Sequence, residues 1–407
     1  MSTRWRRNTS RRLSPQPRRA HQGYPDSLRC ISRPWPPSRV VAALAAPLAI
    51  ALVAISSAAC STPSLVAGSN AHLATGQVAF VVNHALSANP GSTITPIDLA
   101  SQKPGRPVNT GNYPSVKAFS ALDPSALAFS PNGKRLYVTN FGADTVSALS
   151  ARTGKLTRSF KVGLEPDAIA ISPSGHTGWV ADFGAQALTP INLTTGAAGK
   201  PVPVGSEPRA LALTPNGAEV LCANFASGTV SIVNTASRRL LATVAVGLEP
   251  TAIAITPNDS EALVADFGAN VVTVVNLSTN RVSGTVALAG NPTDIVIAPG
   301  VSGAQGTVAG HGPATRSGRL APDSNSAIAY VTAGASITPI SISSDTAGIA
   351  INIVYPAEAL AISNAGTVAD VALQGGAVVE VDLLTGKLGH LIHVGGIPTA
   401  IAVAAPH

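Results

Sequence analysis

"PSALAFSPNGKRLYVTNFGADTVSALSARTGKLTRSFKVGLEP", residues 124–166, holds four short apolar segments separated by turn chemistry. "ALAFS", "RLYVTN", "TVSALS" and "LTRSFKV" have the length and composition of β-strands, and "PNGK", "FGAD" and "ARTGK" are turn formers. The unit is repeated. A Pro followed by a small/large apolar alternation occurs at Pro124, Pro166, Pro208, Pro250, Pro292, Pro356 and Pro398, with spacings of 42, 42, 42, 42, 64 and 42 residues. The long spacing contains the Gly/Ala/Ser-rich stretch 301–323, read as a loop insertion within one repeat.

Four strands in about 42 residues is the size of one β-propeller blade. The seventh repeat keeps only its first strand before the chain ends at His407, while "GQVAFVVN", "STITPIDLASQK" and "RPVNTG" upstream of Pro124 supply three more. The expected fold is therefore all-β: a seven-bladed β-propeller of four-stranded antiparallel blades, closed by the C-terminal strand joining the N-terminal blade. Closure removes the free sheet edges. The inner strands, such as Ala168, Ile169, Ala170 and Ile171, are expected to be apolar on both sides because neighbouring blades cover them.

The apolar fraction of 45% with 12% charged residues suits a large buried core, and the three Cys offer no disulfide framework. Cys222, in "AEVLCANF", reads as a small buried hydrophobe. The formal charge of +7 is unevenly placed: residues 1–39 hold ten Arg and one acid, Asp26, leaving 17 bases against 19 acids beyond them, a net of −2. Nucleic acid is thus not an expected partner. After the Arg-rich segment come an apolar run at 40–55 and "SSAAC" ending at Cys60, the order of an export signal. Small residues before a Cys resemble a bacterial lipobox, although Ser57 stands where that box usually has Leu. The expected organisation is a leader at 1–60 lipidated on Cys60, a flexible tether at 61–75 and a propeller at 76–407, exported and anchored to the outer surface of the membrane.

The unit "RLYVTNFGADTVSALSARTGKLTRSFKVGLEP" resembles the YVTN-repeat β-propellers of the surface-layer type, a resemblance that spans about residues 76–407. Only the repeat from Pro124 has Tyr137, Val138, Thr139 and Asn140 intact; others read "WVADFG", "LCANFA" and "LVADFG". The resemblance implies the fold and is nearly silent on chemistry, since that family includes envelope proteins of unknown role alongside lactonases and lyases.

Strand order places the turn after the second strand and the link into the first on one face, here called the top. Asn83, Asn140, Asp182, Asn224 and Asp266 end second strands on that face, and Glu165, Glu207 and Glu249 sit in the links "GLEP", "GSEP" and "GLEP". Their oxygens are the candidates for a polar ligand or a hard cation such as calcium. The competing reading is local: Asn and Asp bond to the backbone two residues on and bend the chain into the turn, while the Glu residues bond to amides at the rim. Phe141, Phe183, Phe225 and Phe267, which follow the Asn/Asp positions, are expected to pack between blades. No G-x-S-x-G, H-E-x-x-H or phosphate-cradling Gly loop occurs, so no catalytic residue and no cofactor is assigned. The expected function is a monomeric binding or scaffold protein for a protein, cell-envelope or small polar ligand on the top face. The alternative is a lactonase-like hydrolase using top-face carboxylates and a divalent metal.

Overall fold

The computed structural model describes residues 78–84, 93–110, 124–298, 327–363, 366–403. The leader with Cys60, the tether, the 301–323 insertion and most of the blade-one loops after Asn83 and before Pro124 lie outside them. The described strands form seven antiparallel sheets arranged as a seven-bladed propeller. Blade 1 combines residues 78–109 with 397–403, and blades 2 to 7 cover 124–161, 166–203, 208–245, 250–287, 292–352 and 357–393.

Closure occurs where the two ends meet. The strand Ile397–Val403 lies innermost in blade 1 and pairs antiparallel with Val78–His84, Val81 opposite Ile401 and Asn83 opposite Pro398. In blade 7 the innermost strand begins at Ala357, which pairs with Leu373, so the repeat starts one residue after the Pro that marks it in the sequence.

Among the described residues, no blade has an apolar core of its own: seven clusters of buried side chains occur, and each is shared by two adjacent blades. Tyr137, Val146 and Phe160 of blade 2 pack on Ile169, Val180 and Ile191 of blade 3, and Leu221 and Ile232 of blade 4 on Ile253 and Val264 of blade 5. Ala79, Val81 and Ile97 of blade 1 pack on Ala372, Val378 and Ile392 of blade 7, which completes the ring.

Burial is unequal across a blade. Middle strands such as Arg135–Asn140 and Thr145–Ser150 are almost wholly buried, and outer strands such as Leu156–Lys161 are largely exposed. Inner strands vary: Ala168, Ile169 and Ala170 are buried as expected, whereas Pro124–Phe129 is mostly half-buried where it borders the propeller axis. Their alternating Ala residues let seven strands converge there.

Prolines tune the outer edge. Pro96, Pro190 and Pro339 sit in the third strands of blades 1, 3 and 6 and lack the N–H that a fourth strand would bond. In these three blades the fourth strand is cut to two-residue pieces, and Gly105, Gly199 and Gly348 donate to the proline carbonyls instead.

Deleting residues 397–407 leaves blade 1 without its inner strand and exposes the edge of Val78–His84. The expected outcome in a thermal melt is loss of the cooperative transition, with aggregation through the freed edge; an intact transition within a few degrees of the full chain would show that closure is not what stabilises the ring.

Candidate functional site

The Asn/Asp positions of the sequence repeat are buried in separate blades. Asn140, Asp182, Asn224 and Asp266 are fully inaccessible and Asn83 nearly so. Neither Asn140 nor Asp266 caps its own turn: the short helices Phe141–Ala143 and Phe267–Ala269 have no side-chain cap from them. Each side chain reaches forward to a hydroxyl on the third strand of its blade. Asn140 Nδ2 donates to Ser147 Oγ at 2.9 Å and to Thr145 Oγ1 at 3.1 Å, and Asn224 Nδ2 donates to Ser231 Oγ at 3.0 Å and Thr229 Oγ1 at 3.1 Å. In the carboxylate blades the hydroxyl turns round and donates: Thr189 Oγ1 to Asp182 Oδ2 and Thr273 Oγ1 to Asp266 Oδ2, each at 2.5 Å. Asn83 donates to Thr95 Oγ1 at 2.7 Å.

These groups also bind the preceding blade. Gly163 N–H of blade 2 donates to Asp182 Oδ1 at 3.1 Å, Ser147 Oγ donates to the Thr110 carbonyl of blade 1, and Asn83 Nδ2 donates at 3.3 Å to the carbonyl of Val394, which follows the last strand of blade 7. A Cβ on Gly163, Gly205 or Gly247 would lie 2.5, 2.7 or 2.6 Å from the side chain of Asp182, Asn224 or Asp266. The Gly247 amide faces Asp266 without completing a bond to Oδ1. At Gly163, Gly205 and Gly247 the "VG" before the link is therefore glycine because the next blade's Asn or Asp occupies the space a side chain would take; at Gly395, before the blade of Asn83, nothing lies within 4 Å and the glycine instead has a φ of +83°.

Two blades lack the polar group, and the glycine is lost with it. Blade 6 has Ala333 at the strand end and Ala289 three residues before the paired Pro292; blade 7 has Leu373 there and Val354 three residues before the paired Ala357. In blade 7 the third-strand hydroxyl is also replaced, by the buried Val379. Leu373 and Val379 are buried in the place of the polar pair, while Val354 is exposed.

Burial is the largest influence on both carboxyls: it pushes Asp182 and Asp266 up to about 6, against the opposing pull of their Thr donors and of the facing Gly163 and Gly247 amides, with Asp144 adding repulsion at Asp182. Asp294, whose Oδ2 accepts from the Leu360 N–H of the next blade at 2.8 Å, is raised to about 6 by burial too. Burial also pushes the Cys222 thiol far up, in keeping with a buried structural side chain whose Sγ lies 3.5 Å from Asn224 Oδ1.

Glu165, Glu207 and Glu249 hold the links on the top face with φ of +54° each. Their carbonyls accept from Phe183, Phe225 and Phe267 N–H, and Glu165 N–H donates to Asp144 Oδ1 at 2.9 Å. Glu165 and Glu207 are half-buried and Glu249 is exposed. The rings of Phe141 and Phe183 contact across blades 2 and 3, centroids 5.7 Å apart. Among the described residues, no three His, Cys, Asp or Glu side chains are grouped as a metal site.

The residues that do converge are those one position into each inner strand: Ser125, Asp167, Arg209, Thr251, Thr293, Glu358 and Thr399. Their place after each blade's first residue is visible in the repeat but their role is not, because the position varies from hydroxyl to carboxylate to guanidinium. Three hydroxyls link blades: Ser125 donates to the Pro166 carbonyl, Thr251 to that of Pro292 and Thr293 to that of Ala357, at 3.0, 3.1 and 2.9 Å. Arg209 lies 4.1 Å above the Phe225 ring and 3.8 Å from Asp167 Oδ2. Glu358 Oε1 accepts from Gln374 at 2.6 Å. Arg209, Phe225, Phe267 and Glu358 with Thr251 and Thr293 line a top-face cavity of about 250 Å³.

No family model matches the chain, and no curated protein matches it in sequence. Solved structures share the fold. A hydrazine synthase structure of Kuenenia stuttgartiensis is similar at 15% identity and a TM-score of 0.57, covering 72% of this chain and 93% of that one. A functionally unknown protein from Desulfotomaculum acetoxidans DSM 771 is similar at 14% identity and a TM-score of 0.63, covering 82% of this chain and all of that one. The likeness is one of architecture: the protein is a seven-bladed β-propeller.

Because the fold raises the two carboxyls above the ordinary Asp value, it favours their protonated form. Their stabilising contribution is complete below about pH 3.8 and is lost as pH rises through about 6, on the order of 2–3 kcal/mol each at most. The double substitution D182N/D266N, which copies the amides of blades 2 and 4, should flatten the fall in melting temperature between pH 4 and 7 and match or exceed the parent at pH 7.5; a steeper fall, or a large loss at pH 7.5, would show that the ionised forms stabilise the ring.

Proposed function

We propose that this propeller is exported, lipid-anchored through Cys60, and acts outside the cytoplasmic membrane as a binding or scaffold module for a protein, cell-envelope or small polar ligand on its top face. The resemblance to the YVTN-repeat propellers and the order of Arg-rich segment, apolar run and "SSAAC" support the address. The observation that carries the function is the top-face cavity. A guanidinium at one end and a carboxylate at the other, with two Phe rings between, suit a ligand that carries both charges around an apolar part. Leu248, 67% exposed in the link beside it, extends the apolar surface.

The test uses bacteria expressing the full chain. The chain should partition to the membrane with an acylated Cys60 at its mature terminus, and envelope material retained by the parent should be retained at least tenfold less by R209Q/E358Q. A soluble product with an unmodified terminus would overturn the address, and equal retention by the variant would overturn the site.

A further inference from the structure

On the bottom face the charges of blades 2 and 3 are sorted. Within residues 124–203 every carboxylate, Asp144, Glu165, Asp167 and Asp182, belongs to the top ends of strands or to top turns. Of the cations, Lys134, Arg135, Arg152 and Lys155 belong to the bottom turns and strand ends and Arg158 reaches down to them, while Lys161 ends its strand at the top and Lys200 lies along the outer edge. The segregation is peculiar to this pair of blades. Arg135 begins the second strand of blade 2, and its counterparts in blades 4 and 5 are Glu219 and Glu261. Burial pushes both of those carboxyls up, and Asp259 and Asp345 respectively add like-charge repulsion.

Between the bottom turns of blades 2 and 3 lies a cavity of about 460 Å³ lined by Lys134, Arg135 and His176 and by no carboxylate. Its polar groups are arranged as donors. Asn132 uses Oδ1 within its own turn, accepting from Ser130 Oγ at 2.7 Å and Lys134 N–H at 3.1 Å, so its amide N–H₂ is the group left for the cavity. Arg158 closes the outer side by donating from Nη1 to the Thr194 carbonyl at 2.8 Å. Among the described residues the one ion pair is Arg209–Asp167, on the opposite face, so none neutralises Lys134 or Arg135. The inner wall is the buried Tyr137 and Leu193.

We infer that this cavity is a second binding site, distinct from the top face, for a phosphate-bearing ligand. Lys supplies a point charge and Arg a planar fork that matches phosphate oxygens. The volume exceeds that of a bare phosphate and leaves room for the group that carries it. Two sources share this chemistry, a soluble phosphomonoester and the headgroup of an anionic phospholipid.

The ring closes on itself within residues 78–403, so residues 61–407 serve as the test protein. Calorimetric titration with glycerol 3-phosphate and with inorganic phosphate should give saturable binding, weakened at least tenfold in Lys134→Gln/Arg135→Gln and unchanged in the control Lys387→Gln, also on the bottom face but in blade 7. Vesicles of phosphatidylglycerol, with phosphatidylcholine as the neutral control, separate the sources: binding to the anionic vesicles that glycerol 3-phosphate competes away assigns the headgroup, and binding of glycerol 3-phosphate alone assigns a soluble ligand. No saturable binding of either phosphate and no preference for anionic vesicles would overturn the site. So would an equal loss in Lys387→Gln, because diffuse surface charge would then account for the binding. Melting curves of the variants keep misfolding from passing as loss of binding.

Discussion

Each blade of this propeller is a sheet with two apolar faces and nothing inside its own sequence to cover them. All seven buried clusters are shared between neighbours, so burial of roughly 25 cal/mol per Å² of apolar surface is gained only when blades associate. Ring closure by Ile397–Val403 follows from the same constraint, since an open ring would leave the outward faces of its two end blades in water. Stability is therefore a property of interfaces, and side chains that would be incidental in an isolated sheet act here as joints.

The Asn/Asp positions are such joints. A polar group at the end of the second strand is tied to its own third strand by a hydroxyl, and in blades 3 to 5 it lies against a glycine of the blade before. Asp182 and Asp266 are buried at the cost of raised pKa values, the expected consequence of holding a carboxyl away from water with few compensating donors. Blade 7 places the buried Leu373 and Val379 there, with Val354 exposed, and blade 6 combines Ala333 and Ala289 with the hydroxyl of Thr338. The ring thus tolerates either chemistry at a joint. The variable, solvent-facing residues are then free to differ between blades, as Arg209 and Glu358 do around the axis and as Lys134 and Arg135 do on the opposite face.

The fold was legible in the sequence because the repeat is regular: the seven Pro-anchored runs and the partial seventh unit determine blade number and closure without any contact being known. The candidate site was legible only as a set of positions. Asn140 and its counterparts stood out because a polar residue ends an apolar strand, but their direction depends on a hydroxyl seven residues on, as in Ser147, Thr189, Ser231 and Thr273. That spacing was present in "TVSALS" and "VVTVVN" and carries the signal. The glycines Gly163, Gly205 and Gly247 of the "VG" steps were a second signal, since each marks a close approach by a neighbour about 19 residues on. The axial ring and the basic cavity were hidden for a different reason: they are assembled from one residue per blade or from turns of two blades, and no local window contains them.

The central claim is that Gly247 and Asp266 form one joint between blades 4 and 5. A double-mutant cycle measures it directly: G247A, D266A and the double variant G247A/D266A, which imitates the pair Ala289 and Ala333 of blade 6, compared by denaturant unfolding at pH 7. The account predicts that G247A alone costs about 1–3 kcal/mol through the clash with the Asp266 side chain, and that in the D266A background the same substitution costs at least about 1 kcal/mol less. Additive effects, with G247A equally costly whether or not Asp266 is present, would contradict it.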